Sequence, residues 1–206
     1  MLNRLINLLH TKPVVYDSNF FLESWFREWV NLSAVLASLI KSEPKWRTII
    51  DFGCGPGIMI DQMTDQGLNY SGCDYSAEAR QLYLQHYGCY PERYLTTLDE
   101  APIKNTDLLL AFDVLEHMRD DEIAGLLGKI NAIPELLFNI SRARGIPGHI
   151  NIKSDQRWIE YMRNHGYLFE EERTNRLRQL YVEQRPGSPD QWNKNLFLFS
   201  RIGRDA

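Results

Sequence analysis

Long apolar runs are missing from these 206 residues. None reaches the ~18–20 needed to cross a bilayer as a helix, so membrane insertion is not expected. Cysteine is scarce: Cys54, Cys73 and Cys89 form no CxxC pair and no metal-ligand spacing. That sparse, odd set excludes a disulfide framework and fits a reducing cytoplasm. A concentrated positive charge is lacking too, with 23 Lys and Arg against 27 Asp and Glu and a net charge of −4. The small clusters at Arg142–Arg144 and Arg173–Arg178 read as solvated faces, so no nucleic-acid partner is expected. No internal repeat, low-complexity tract or long linker divides the chain, which points to one domain over residues 1–206. The opening MLNRLINLLH lacks a small-residue cleavage pattern before His10 and Lys12, so it reads as a weak amphipathic helix, not a leader.

What is present is an ordinary globular composition, 44% hydrophobic and 24% charged. Residues 20–42 carry apolar side chains at three- and four-residue spacing, which predicts a helix within a helical cap over 1–44. Its stripe of Phe20, Phe21, Trp25, Phe26 and Trp29 reads as packing, with Tyr16 and Phe20 placed to cross the open edge as a lid. From residue 45 the texture changes. Short apolar runs at Thr48–Asp51, Tyr70–Asp74, Arg93–Thr96, Asp107–Phe112 and Glu135–Ile140 alternate with helical stretches. Helix starts are marked at Ser76, at Asp120–Glu122 and at Ser154, and Gly166 marks a helix end. Two further strands are expected at Tyr167–Glu172 and Asn195–Arg201, separated by a polar insertion over 174–194. The alternation predicts an α/β fold: a mostly parallel sheet covered on both faces, its core at 45–172 and its last edge strand within 173–206. Right-handed crossovers gather the loops after the strands along one edge, where ligands bind in such sheets.

The segment Asp51-Phe52-Gly53-Cys54-Gly55-Pro56-Gly57 follows the first strand and opens a helix. Glycines let the backbone turn tightly and approach a ligand without a Cβ in the way. A dinucleotide fold wants GxGxxG, with its pyrophosphate on the helix N-terminus. Here the glycines run GxGxG, and Ile58 occupies the sixth position of that frame. Asp51 ahead of the loop would repel a pyrophosphate but attract an ammonium group. Asp74, at the end of the second strand, suits a ribose, whose two hydroxyls can donate to one carboxylate. A cofactor with a ribose, an adenine and a cationic amino-acid tail therefore fits better than NAD.

DFGCGPG resembles the first motif of class I S-adenosylmethionine-dependent methyltransferases, and GCDYS resembles their second-strand acid motif. AFDVLEHM, Ala111 to Met118, is similar to the segment that follows their fourth strand. The resemblance covers roughly residues 45–172 and implies a Rossmann-like, doubly wound, seven-stranded sheet with an antiparallel edge hairpin, binding S-adenosyl-L-methionine. It implies that Gly53, Cys54, Gly55 and Gly57 line the methionine part, with Asp51 near its amino group. Asp74 would hold the ribose and Tyr75 would lie against the adenine. Ala111, Phe112 and Asp113 would close the site from beneath. The family's acid after the third strand has no counterpart here, where the chain reads Thr96-Thr97-Leu98-Asp99, so Thr97 and Leu98 are the expected adenine neighbours.

Methyl transfer is an in-line displacement in which positioning and electrostatics carry most of the acceleration. A hydroxyl acceptor gains from a general base near neutral pKa. His10, His86 and His165 fall on expected helical or terminal surfaces, whereas His117 and His149 follow the fourth and fifth strands on the cofactor edge. His149, in GHINIK, is the first candidate base and His117 the second. Asp113, Glu116, His117 and His149 are also four groups able to hold a divalent ion. Some metal-dependent members of the family use a similar set, but the DVLEH string is widespread in members without metal, and no metal is expected. The resulting expectation is a cytoplasmic methyltransferase acting on a small molecule or glycan precursor, with O-methylation favoured. A non-catalytic S-adenosylmethionine-binding subunit and a nicotinamide oxidoreductase are the rival readings.

Overall fold

The structure is a computed structural model and describes residues 24–185 and 192–203, with side chains from residue 32 onward. In chain order it runs α1 (Ser24–Lys41), β1 (Thr48–Phe52), α2 (Ile58–Asp65), β2 (Asn69–Cys73), α3 (Ala77–His86), β3 (Tyr94–Leu95) and β4 (Leu108–Phe112). It continues with α4 (Asp120–Lys129), β5 (Glu135–Asn139), α5 (Asp155–Asn164), β6 (Tyr167–Phe169), α6 (Glu171–Gln184) and β7 (Leu196–Arg201). The proposed lid residues Tyr16 and Phe20, and Phe21, lie outside the described residues, as do the side chains of Trp25, Phe26 and Trp29.

The strands form one sheet in the order β3-β2-β1-β4-β5-β7-β6. β1 pairs in parallel with β2 and β4, and β4 in parallel with β5. β7 runs antiparallel to both β5 and β6, which gives the expected reversed edge. β4 and β5 are buried at every position, as strands covered on both faces must be. Side chains alternate across the sheet, so neighbours in sequence enter different cores. Ile49, Leu108, Leu110, Leu137, Leu196 and Leu198 pack with Leu36 and Ile40 of α1, Met63 of α2 and Leu177 of α6. Ile50, Leu109, Ala111, Leu136, Phe138, Phe197 and Phe199 pack with Ile123 and Leu126 of α4 and Trp158 and Met162 of α5. The result is a sheet between two helical layers.

Two departures from expectation concern the C-terminal third. The strand expected over Tyr167–Glu172 ends at Phe169, and the expected insertion is largely the helix α6. Its buried face is Thr174, Leu177 and Tyr181, a three- then four-residue spacing whose first member is polar. The Thr174 hydroxyl is satisfied there by the Leu198 amide, at 3.0 Å. Arg173 of the same helix reaches Glu135 at the start of β5 and Glu43 beyond α1. Burial alone would push the Glu135 carboxyl up. Hydrogen bonds from Arg173, Lys45 and Trp46 overcome it and hold the group below its usual range. Among the described residues, no helix is long and apolar enough to cross a membrane.

Candidate functional site

The carboxyl ends of β1, β2 and β4 open into a cavity of about 1320 Å³. Its floor begins with the glycine loop. Gly53, Gly55 and Gly57 all have positive φ, at 78°, 53° and 64°. At Gly53 the need is also steric, because a Cβ would stand 2.5 Å from the Val114 Cγ2. The loop is held from several sides. The Gly53 amide donates to the Cys73 carbonyl at 2.8 Å, and the Gly55 carbonyl accepts from the Tyr94 hydroxyl at 2.8 Å. The Gly55 amide donates to the Asp74 carboxylate at 2.9 Å.

Asp74 is thus a positioning group as well as a wall. Its second oxygen accepts from the Ser76 amide at 2.8 Å, fixing the turn into α3, where Ser76 caps Ala79. Partial burial raises its pKa, offset in part by backbone amides of Ser76, Gly55 and Tyr75. Each carboxylate oxygen has two lone pairs, so one N–H apiece leaves capacity for further donors. Asp51 is more deeply placed. It accepts from the Tyr70 hydroxyl at 2.8 Å and, among the described residues, has no ion-pair partner. Burial pushes its carboxyl up to about 7, the Tyr70 hydrogen bond pulling the other way and the Asp74 charge adding to the rise. A buried carboxylate without a counter-charge is a receptor for a cation.

At the other end of the cavity the chain leaves β4. Asp113 takes a positive φ of 54° there, uncommon for a residue with a side chain. Burial raises the Asp113 carboxyl, and the Trp192 side chain beside it partly offsets the rise. His117 and His149 both line the cavity, with ring centroids 4.8 Å apart and planes at 89°. Their Nδ1 atoms lie 3.0 Å from the carbonyls of Gly148 and Ala143 respectively. A carbonyl only accepts, so each Nδ1 carries the proton and Nε2 is the basic nitrogen. Burial lowers both pKa values, that of His117 to about 4, with the His149 charge contributing and the Gly148 carbonyl opposing. Beneath them Glu116 is fully buried and accepts from the Ser141 amide at 2.8 Å. Burial and the Asp113 charge raise its carboxyl.

Of the expected site residues, Asp51, Gly53, Cys54, Gly55, Asp74, Tyr75, Thr97, Leu98, Phe112, Asp113, His117 and His149 all line this one cavity. Gly57 and Ala111 do not. Gly57 starts α2 against Tyr83, whose Cδ2 would lie 2.8 Å from an added Cβ, so its small size serves packing. Ala111 is fully buried in the core beneath α4 and α5. Thr96, Met118, Ile146 and Pro147 were not anticipated. Met118 closes the quoted AFDVLEHM string and Ile146 and Pro147 directly precede Gly148-His149, so proximity to the motifs was the available signal. Asp113 is not in the cluster formed by Glu116, His117 and His149.

A family model described as a methyltransferase domain matches residues 23–179. A ubiquinone biosynthesis O-methyltransferase from a Bradyrhizobium strain is 30% identical over 89 residues, which are 41% of this chain and 34% of that protein. The aligned stretch thus spans about a third of the curated relative's length. Among solved structures, a sugar N-methyltransferase from Streptoalloteichus superposes with a TM-score of 0.58 at 11% identity, over 94% of this chain and 95% of that one. A magnesium protoporphyrin IX methyltransferase from Synechocystis, solved with bound S-adenosylmethionine, gives 0.54 at 13% identity, over 90% and 94%. An S-adenosylmethionine-dependent methyltransferase from Archaeoglobus fulgidus gives 0.58 at 14%, over 90% and 100%. At such identities the likeness describes the fold.

Proposed function

The chain belongs to the methyltransferase-domain family and is an S-adenosylmethionine-dependent methyltransferase; from that premise we propose that it methylates an oxygen of a small molecule or glycan precursor delivered to the His117–His149 end of the cavity. The donor fits the residues present. Asp51, buried and among the described residues without an ion-pair partner, suits the ammonium of the methionine tail, and the positive-φ turn at Gly53 and Gly55 brings loop backbone to the same cavity. Asp74 has the lone pairs to accept from both ribose hydroxyls while holding Gly55 and Ser76. Tyr75 stands at the mouth, 80% exposed, beside Thr97 and Leu98, and offers a ring face to an adenine. The bound donor supplies an electrophilic methyl group on a sulfonium.

The observation that carries the acceptor assignment is the imidazole pair. Two rings whose Nδ1 protons are committed to carbonyls are held at the cavity wall with Nε2 as the basic atom of each. Of the two, His149 is the base for an acceptor that must lose a proton, as a hydroxyl must, because burial takes His117 down to about 4 and leaves it a weak base. Met118, Ile146 and Pro147 beside them give that end an apolar lining. The relative named as an O-methyltransferase supports the same atom class. Screening metabolite and sugar-nucleotide pools with methyl-labelled donor identifies the acceptor. On that acceptor His149→Ala lowers turnover by about 10²–10⁴-fold, the usual contribution of positioned acid–base groups, with donor affinity little changed. Unchanged turnover in the folded variant would refute the role of the pair.

A further inference from the structure

We propose that Tyr70, a residue of β2 outside the cavity lining, positions the Asp51 carboxylate and holds it ionised for the ammonium of the donor. The inference rests on the reading that Asp51 receives that ammonium, and adds the residue that fits it for the task. Tyr70 is fully buried, and its hydroxyl donates to Asp51 Oδ2 at 2.8 Å. It acts through Asp51 and is therefore a positioning residue.

The sheet register explains how the two groups meet. Asp51 lies opposite Gly72, and Tyr70 lies opposite Ile49. Residues two apart on a strand share a face and stand about 6.6 Å apart, a gap that a phenol lying along the sheet spans. Gly72 puts no side chain between them, and a Cβ there would stand 2.7 Å from Cys54 Sγ and 2.8 Å from Ile60 Cδ1. The contact thus needs a tyrosine and a glycine two residues apart on β2.

The surroundings leave this hydrogen bond in charge of the carboxyl. Among the described residues no cation is paired with Asp51. The titratable groups that face it are Tyr70, Cys73 and Asp74 from β2 and its end, and Cys54 from the loop. β4 sets Leu110 beside it, and α2 brings Met59 Sδ within 3.9 Å of the Tyr70 hydroxyl. Burial raises both thiols, so neither carries charge near neutral pH, and Asp74 opposes a second negative charge. Tyr70 alone favours the ionised form, as a donor to a carboxylate does. Burial and the Asp51 charge push its own hydroxyl up, so it stays protonated and remains a donor. A carboxylate has about four lone-pair sites, so one such bond leaves room for an ammonium.

The test is calorimetric titration with S-adenosylhomocysteine from about pH 6 to about pH 9, using the full chain and its Tyr70→Phe, Asp51→Asn and Tyr167→Phe variants. In the wild type, affinity rises with a midpoint of about 7. Without the hydrogen bond ionisation is harder, so in Tyr70→Phe the midpoint moves up by about one pH unit. That variant binds about tenfold more weakly at the acidic end and matches the wild type at the alkaline end. Tyr167→Phe, which removes a buried hydroxyl donating to the Ile130 carbonyl, keeps the wild-type midpoint. The ligand amine titrates alike in every case.

A second readout needs no ligand. The carbon NMR signal of the Asp51 carboxyl shows the same upward shift in Tyr70→Phe, and in the wild type it correlates with a Tyr70 hydroxyl proton once ionised. Circular dichroism checks that the variants fold. An unmoved midpoint in folded Tyr70→Phe, an affinity loss equal at every pH, or no such proton in the wild type overturns the inference. The donor reading then still stands if Asp51→Asn binds weakly with a flat pH profile. Asp51→Asn binding as tightly and with the same pH dependence as the wild type overturns the donor reading, and this inference with it.

Discussion

Single residues divide the site into a donor half and an acceptor half. In the proposed donor half Asp74 holds the loop through Gly55 and, on the proposed reading, the ribose as well. Asp74→Ala is therefore expected to weaken S-adenosylhomocysteine binding by about 1.5–3 kcal/mol, the range for charge-assisted hydrogen bonds. Equal affinities in calorimetry would dissociate Asp74 from the ribose. Asp51 gives a pH signature. Its free-state carboxyl titrates near 7, and an ammonium tail is attracted only by the ionised form. Affinity for S-adenosylhomocysteine should thus rise as pH is raised through about 7, and Asp51→Asn should flatten that rise. In the unliganded protein the sign is opposite for stability. A carboxyl whose folded pKa is raised from 3.8 to about 7 stabilises the fold least once pH exceeds 7, because ionising it in place is unfavourable. The residues that line this end of the cavity were largely legible because GxGxG and the two acids are short, local patterns. Gly57 and Ala111 lie off the cavity for a physical reason: a glycine can be demanded by a packed ring, and a strand residue one place along faces the opposite core.

Among the elements, α6 is the one that sequence reasoning mistook. Glu171–Gln184 presents only three buried side chains, Thr174, Leu177 and Tyr181. One of them is a hydroxyl whose burial depends on the Leu198 amide, a partner 24 residues away in sequence. Polar content and a long-range satisfaction together hid the helical period. The strands β4 and β5, buried throughout, were plain because both-sided burial demands continuous apolar runs. If α6 is integral to the fold, removing its central anchor will show it. Leu177→Ala is expected to destabilise the protein by about 2–4 kcal/mol in urea unfolding, within the range for buried leucines. A change below ~0.5 kcal/mol, as surface substitutions give, would mean that the helix is an appendage. The Arg173–Glu135–Lys45 group ties this helix to the sheet and to the segment after α1.

For the whole molecule, the sheet order and reversed β7 bring one set of loops to one edge, and the cavity is where they meet. The mostly parallel sheet covered on both faces followed from the alternation of apolar runs and helices, and its seven strands with a reversed edge from the family resemblance. His117 and His149 were named from the sequence, but the approach of Ile146 and Pro147 to them was not, because the two segments converge only when β4 and β5 lie side by side. The account turns on the glycine loop with Asp51 and Asp74 holding a sulfonium nucleoside and not a dinucleotide. Calorimetric titration of the purified chain with S-adenosylhomocysteine, and separately with NAD, tests this most directly. The account predicts micromolar binding of S-adenosylhomocysteine, about −8 kcal/mol, and no heat with NAD. Heat with NAD and none with S-adenosylhomocysteine would contradict it.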